Sequence, residues 1–238
     1  MKAQASLAPL ALAIFCAHPL GAQRPTQAIR LSPVTFTNPT SDLIQALQRS
    51  LIRDQGARLW MLVMPSFSPA SALELDCTWN KADEPKSVSF TIRWTEALDQ
   101  TWLWSTPPPP PAPGATPWKM PSHFKSRTGT APVPPEAAQE IIHAWIHLLR
   151  ETRYPTENEF ISGNDGSNFE FYARWDRMNG RGQSLMGWTW SPASGPTKML
   201  VDLGEGLIAY AKASPKDRQA LLAKCMDLAK AIQAYEYK

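Results

Sequence analysis

The stretch from Asp165 to Trp190, DGSNFEFYARWDRMNGRGQSLMGWTW, restricts the possible folds more than any other part of the chain. Phe169, Phe171, Ala173 and Trp175 alternate with Glu170, Tyr172, Arg174 and Asp176. A period of two gives an extended strand one apolar and one polar face. Ser184 to Trp190 alternates in the same way. Between the runs stands Asn179-Gly180, a pair suited to the positive φ angles of a two-residue hairpin turn. Centred there, the turn sets Ala173 opposite Met186, Phe171 opposite Trp188 and Phe169 opposite Trp190, all on one face. A lone hairpin is marginal in water, so further strands or a helix must cover that face.

A second hairpin is predicted over Leu73 to Trp94, where Leu73, Leu75, Cys77 and Trp79 are answered by Val88, Phe90, Ile92 and Trp94. The two hairpins align without a gap, Leu73 falling on Phe169 and Phe90 on Met186. Each also follows an amphipathic helix. The first runs from Thr40 or Ser41, either able to cap it, to Gly56, with Leu43, Ile44, Leu47 and Leu51 as its stripe. The second lies in PPEAAQEIIHAWIHLLRETR, and its Ile141, Ile142, Trp145 and Leu149 match the first stripe. This recurrence predicts a duplicated helix-plus-hairpin unit. Leu59 to Met64 is a continuous apolar run closed by Pro65, read as a strand buried on both faces.

The predicted fold class is α+β: an antiparallel sheet from the two units, covered on one face by helices, two of them C-terminal. Those two are read from Leu200, Leu203, Leu207 and Tyr210, then from Ser214-Pro215 onward, where Leu221, Cys225, Leu228, Ile232 and Tyr235 form a stripe. Gly204 and Gly206 weaken the first of them or serve close packing. The organisation reads as a signal peptide over 1–22, a tether over 23–38, a first unit over 39–104, a proline-rich joint over 105–134 and a second unit over 135–238. The five consecutive prolines from Pro107 favour polyproline II and a spacer role. Both units are expected to share one sheet.

Residues 1–22 carry Lys2, an apolar run from Leu7 to Ala17 and Ala22 before Gln23, the pattern of a cleaved export signal. The expected location is therefore secreted or periplasmic. No later stretch approaches the roughly 18 uninterrupted apolar residues of a membrane span. A formal net charge of +3 over 238 residues, with no basic cluster, gives no electrostatic case for nucleic acid. Cys77 and Cys225 lie on apolar sides of their elements; an oxidising compartment allows them to bond, and otherwise they are two buried thiols.

Catalytic patterns are missing. The sequence has no GxSxG, Walker loop, GxGxxG or HExxH, so no cofactor is expected. His143 and His147 share a helical face and form a weak metal pair, with a solvated polar face as the ordinary reading. The polar side of the Asp165–Trp190 hairpin, with Glu170, Tyr172 and Arg174, is where the two copies differ and is a sensible binding platform. Trp102, Trp104 and Trp118 border the joint and are least explained by alternation, which allows glycan stacking. The expected function is thus an exported, non-enzymatic binding protein with a protein or glycan partner. The alternatives are a carbohydrate-binding module and a hydrolase whose site is assembled between the units.

Overall fold

The computed structural model describes residues 31, 41–53, 57–80, 87–101, 121–153, 166–176 and 182–237. Among them the chain runs α1 (Ser41–Leu51), β1 (Leu59–Pro65), β2 (Ser71–Asn80), β3 (Ser87–Ala97), β4 (Ser126–Val133), α2 (Pro135–Arg150), β5 (Ser167–Asp176), β6 (Gly182–Trp190), α3 (Gly195–Lys212) and α4 (Pro215–Gln233). The strands form one antiparallel sheet in the order β4-β3-β2-β1-β5-β6. The fold is α+β, as the periodicities predict, and both hairpins belong to the same sheet.

The run LWMLV occupies the centre because it alone can be buried on both sides. β1 pairs with β2 and with β5. Leu59, Met61 and Val63 enter the main core beneath α2 and α3, while Trp60 and Leu62 enter a smaller core with α1. On the main face, Ile141, Ala144, Trp145 and Leu148 of α2 meet Phe169, Phe171 and Leu73 of the sheet. Each of the leucine, isoleucine and phenylalanine side chains among them contributes roughly 1.5–3 kcal/mol when fully buried. Tight spacing lets α3 approach β1: a Cβ on Gly204 would stand 2.5 Å from Met61 Sδ. The close-packing reading of that glycine therefore holds.

Helices cover both faces, which corrects the one-sided arrangement expected above. Leu43, Ala46, Leu47 and Leu51 of α1 pack on Trp60, Leu62 and Ala72, opposite α2 and α3. α4 forms an outer layer on α2 and α3 rather than covering the sheet.

The Asp165–Trp190 hairpin forms, but one residue out of its expected register. Ala173 pairs with Leu185, Phe171 with Gly187 and Phe169 with Thr189. Gly187 supplies the reason. A Cβ there would lie 2.9 Å from Leu31 Cβ and 3.0 Å from Thr152 Oγ1, so the end of α2 and the N-terminal segment leave no room for Trp188 at this point. The slip is tolerated because the other face is also covered, and Met186 packs in the α1 core beside Tyr172. Asn179-Gly180 lies outside the described residues.

The gap-free repeat fails with the same shift. Segment 177–181 between β5 and β6 is one residue shorter than segment 81–86 between β2 and β3. The hairpins flank β1 and extend away from it in opposite directions, with α1 and α2 on opposite faces.

Two further segments depart from expectation. The end of the proline-rich joint is β4, paired with β3 from Phe90↔Val133 to Ala97↔Ser126; Pro132 is accommodated because this strand is an edge. Leu31, inside the expected tether, is buried, and its carbonyl accepts the Arg153 N–H at 3.0 Å. The export signal and the five prolines lie outside the described residues.

Candidate functional site

The three residues expected to form one polar platform have three different surroundings. Glu170 sits opposite Leu62 on β1, in the layer that α1 covers, and is only 2 % exposed. Gln48 Nε2 of α1 donates to its Oε2 at 3.1 Å. Burial pushes the carboxyl up to about 7, against the smaller opposing effect of the Gln48 amide. Tyr172 is half-buried, its ring stacked on Trp60 at 5.3 Å and 6°, and its hydroxyl shares a 3.2 Å hydrogen bond with Ser184 Oγ. Arg174 is exposed. The solvated-platform expectation is therefore overturned for Glu170, which α1 covers. Alternation marked the face as polar but carried no information about a helix covering it.

The same face holds an ion-pair cluster. Glu74 is 1 % exposed; Arg93 Nη1 lies 3.5 Å from Glu74 Oε2, and Nη2 lies 2.9 Å from Asp76 Oδ2. Arg93 stands opposite Glu74 across the β2–β3 ladder. One guanidinium bridging two carboxylates is a way to bury them with compensation, and the cluster reads as structural.

A cleft of about 710 Å³ opens at the other end of the sheet, where β2 runs out and β3 begins. Val88 and Phe90 of β3 and Cys77 of β2 form its floor. Ile142, His143, Ile146 and His147 of α2 form one wall, and Arg58, Arg150 and Arg174 line it as well. Arg58 extends β1 by one residue: its N–H donates to Leu75 O at 3.0 Å and its carbonyl accepts from Arg174 at 2.8 Å. That pairing sets the two arginines side by side at the sheet's end.

The cleft thus gathers Arg174, His143 and His147 from the expected candidates and separates them from Glu170 and Tyr172. His143 is exposed. His147 is half-buried, with Nε2 3.2 Å from Tyr235 O and its ring 6.3 Å from that of Tyr237. Among the described residues no group of three or more metal-ligating side chains is assembled, so the pair gains no third ligand there. Arg58, Arg150 and Ile146 were not singled out from sequence, and Ile142 was assigned to the core stripe of α2. Their signal was a second stripe on α2, with Gln139, Ile142, His143, Ile146, His147 and Arg150 at helical spacing beside the core stripe.

The cysteines are separate thiols, which corrects the disulfide reading. Cys77 is on the sheet at the cleft floor, whereas Cys225 is in the outer helix α4 facing Gly206 of α3. α2 and α3 stand between those two layers. Burial pushes the Cys225 thiol up to about 11. Trp102, Trp104 and Trp118 lie outside the described residues. Both halves of the chain build the cleft, as the hydrolase alternative requires, but its described lining carries no carboxylate to act as acid or base.

Fold and cleft together define an α+β protein with a single antiparallel sheet, helices on both faces and a basic-apolar recess at one sheet end. Comparison with protein-family models, with curated proteins and with solved structures finds no match.

Proposed function

We propose that the chain is an exported, non-enzymatic binding protein whose ligand seats in the cleft between α2 and the sheet end formed by Cys77, Val88 and Phe90. The observation that carries this reading is the cleft itself. At about 710 Å³ it falls within the roughly 300–1,000 Å³ range of small-molecule sites. Its lining joins exposed hydrogen-bond donors to half-buried apolar side chains, the combination that orients a ligand and desolvates it. Export rests on the Lys2, Leu7–Ala17 and Ala22 pattern. No helix among the described residues is long and apolar enough to cross a membrane.

Native mass spectrometry of protein recovered from the compartment that receives it tests the reading. A bound small molecule that is lost from the Ile146→Arg variant, whose side chain fills the cleft, is the expected result. Protein at its own mass in every preparation, with no chemical-shift change at Phe90, Ile142 or Ile146 across a small-molecule library, overturns it.

A further inference from the structure

We propose that α1 is a pH-released cover: ionisation of Glu170 frees it from the sheet while the six strands stay paired.

The way α1 is held makes a separate opening possible. It has 11 residues, below the roughly 12–15 at which an isolated helix is even marginally stable in water, so docking keeps it folded. It precedes β1 and supplies no strand, and its departure breaks no ladder of the sheet. Leu43, Ala46, Leu47 and Leu51 attach it to the smaller core. Ser50 Oγ accepts the Phe124 N–H at 2.9 Å, and Gln48 Nε2 donates to Glu170 Oε2 at 3.1 Å. The covered carboxyl is 2 % exposed.

The surroundings of Glu170 favour its neutral form. It faces Leu62 of β1, Trp188 of β6 and Gln48 of α1, none of which titrates. Alternation puts Tyr172, Glu74 and Arg93 on the same side of the sheet two residues along the strands. Arg174, Arg58 and Asp76 follow two residues further on. Arg93 is engaged with Glu74 and Asp76. Asp42 and Arg49 of α1, and Arg53 after it, are exposed. Among the described residues no cation therefore compensates the carboxyl, and burial, opposed only by the Gln48 amide, sets its value at about 7.

An ionised carboxylate here has one neutral donor and almost no exposure, a costly state. Lifting α1 returns it to water. With α1 docked the proton is kept up to about pH 7, whereas a solvated carboxyl loses it near its ordinary 4.5. Acid thus holds α1 down. Between those two values docking weakens by about tenfold per pH unit, roughly 300-fold in all, and above pH 7 it weakens no further.

Hydrogen exchange of the purified protein from pH 5 to 8, read by mass spectrometry and corrected for the intrinsic rate, tests this. The α1 amides are expected to be at least about tenfold less protected than those of β1, the mark of an opening smaller than global unfolding. Their protection should fall about tenfold per pH unit up to about pH 7 and then level off. Glu170→Gln should keep α1 protection within about twofold across the range. Gln48→Lys, which sets a cation against the carboxylate, should raise it at pH 8 by at least about tenfold over the parent. Protection of α1 that is flat with pH in the parent, or a pH dependence that survives Glu170→Gln, overturns the proposal. So does equal protection of α1 and β1 at every pH, because exchange would then require the whole chain to unfold. If Glu170→Gln does not fold, Gln48→Lys decides in its place, and no gain at pH 8 counts against release by ionisation.

Discussion

The two faces of the sheet are stabilised in different ways. Beneath α2 and α3 the core is mainly apolar: Met61, Leu73, Leu75, Ile92, Phe171 and Trp145 are all fully buried. Beneath α1 the apolar core is smaller, and it adjoins buried Glu170 and Glu74, each held by a polar neighbour. One face depends on close packing, the other on hydrogen bonds that satisfy desolvated carboxyls. Substitutions at Trp145, Glu170, Gly204 and Gly206 separate these modes, through cavity formation, proton binding and overpacking.

The largest effect is expected at Trp145. It is fully buried, packs edge-on to Phe171 at 5.6 Å and 67°, and its indole N–H has no hydrogen-bond partner among the described residues. Its role is volume. Trp145→Ala should destabilise by about 3–5 kcal/mol in urea unfolding, while Trp145→Phe, which removes the orphan N–H and keeps an aromatic ring, should cost less than half as much. A loss below about 1 kcal/mol for the alanine variant would show a collapsible face and dissolve the contrast.

Legibility in the sequence follows the same division. Strands and helices with one apolar stripe were readable, because a period of two or of 3.6 is a local property. Leu73, Ile92 and Trp145 all fell on the sides the pattern assigned. What two elements do to each other was not readable. The register of β5 on β6 is governed by Gly187 meeting Leu31 and Thr152, residues distant in sequence. β4 was hidden by its proline, Pro132, which an edge strand accepts. Of the cleft, Arg174 and the two histidines were in view. Arg58 was not, because only its pairing with Leu75 and Arg174 brings it to the site.

The second effect belongs to the α1 face and depends on pH. Glu170 has a folded value of about 7 against an ordinary 4.5. Below about pH 4.5 the carboxyl is neutral in folded and unfolded chains alike. Between there and about pH 7 the unfolded chain ionises while the folded one keeps its proton, so stability falls by about 1.4 kcal/mol per pH unit. Above pH 7 both forms are charged, and the accumulated loss levels off at about 3 kcal/mol. Glu170→Gln keeps a partner for Gln48 and removes the ionisation. Melting temperatures from pH 4 to 8 should show the variant gaining on the parent steadily up to about pH 7. Parallel curves would mean that water reaches this carboxylate and that the α1 face is no more polar in effect than the other.

The smallest effect compares two positions on one helix. Alanine in place of glycine favours a helix interior by about 1 kcal/mol, so Gly204→Ala and Gly206→Ala begin equal. Their neighbours differ. A Cβ at residue 204 meets Met61 Sδ at 2.5 Å and Cε at 2.6 Å. Met61 is adaptable in kind, but it is wholly enclosed in the centre of the sheet. A Cβ at residue 206 meets only Cys225 Sγ, at 3.0 Å, on the outer helix. Overpacking of about 1–3 kcal/mol at the inner position outweighs the helix gain of about 1 kcal/mol, so Gly204→Ala should lower stability by up to about 2 kcal/mol. Gly206→Ala should stay within about 0.5 kcal/mol of the parent. Equal outcomes in chemical denaturation would mean that α3 can shift away from β1, and that the main face is held by burial alone and not by close fit.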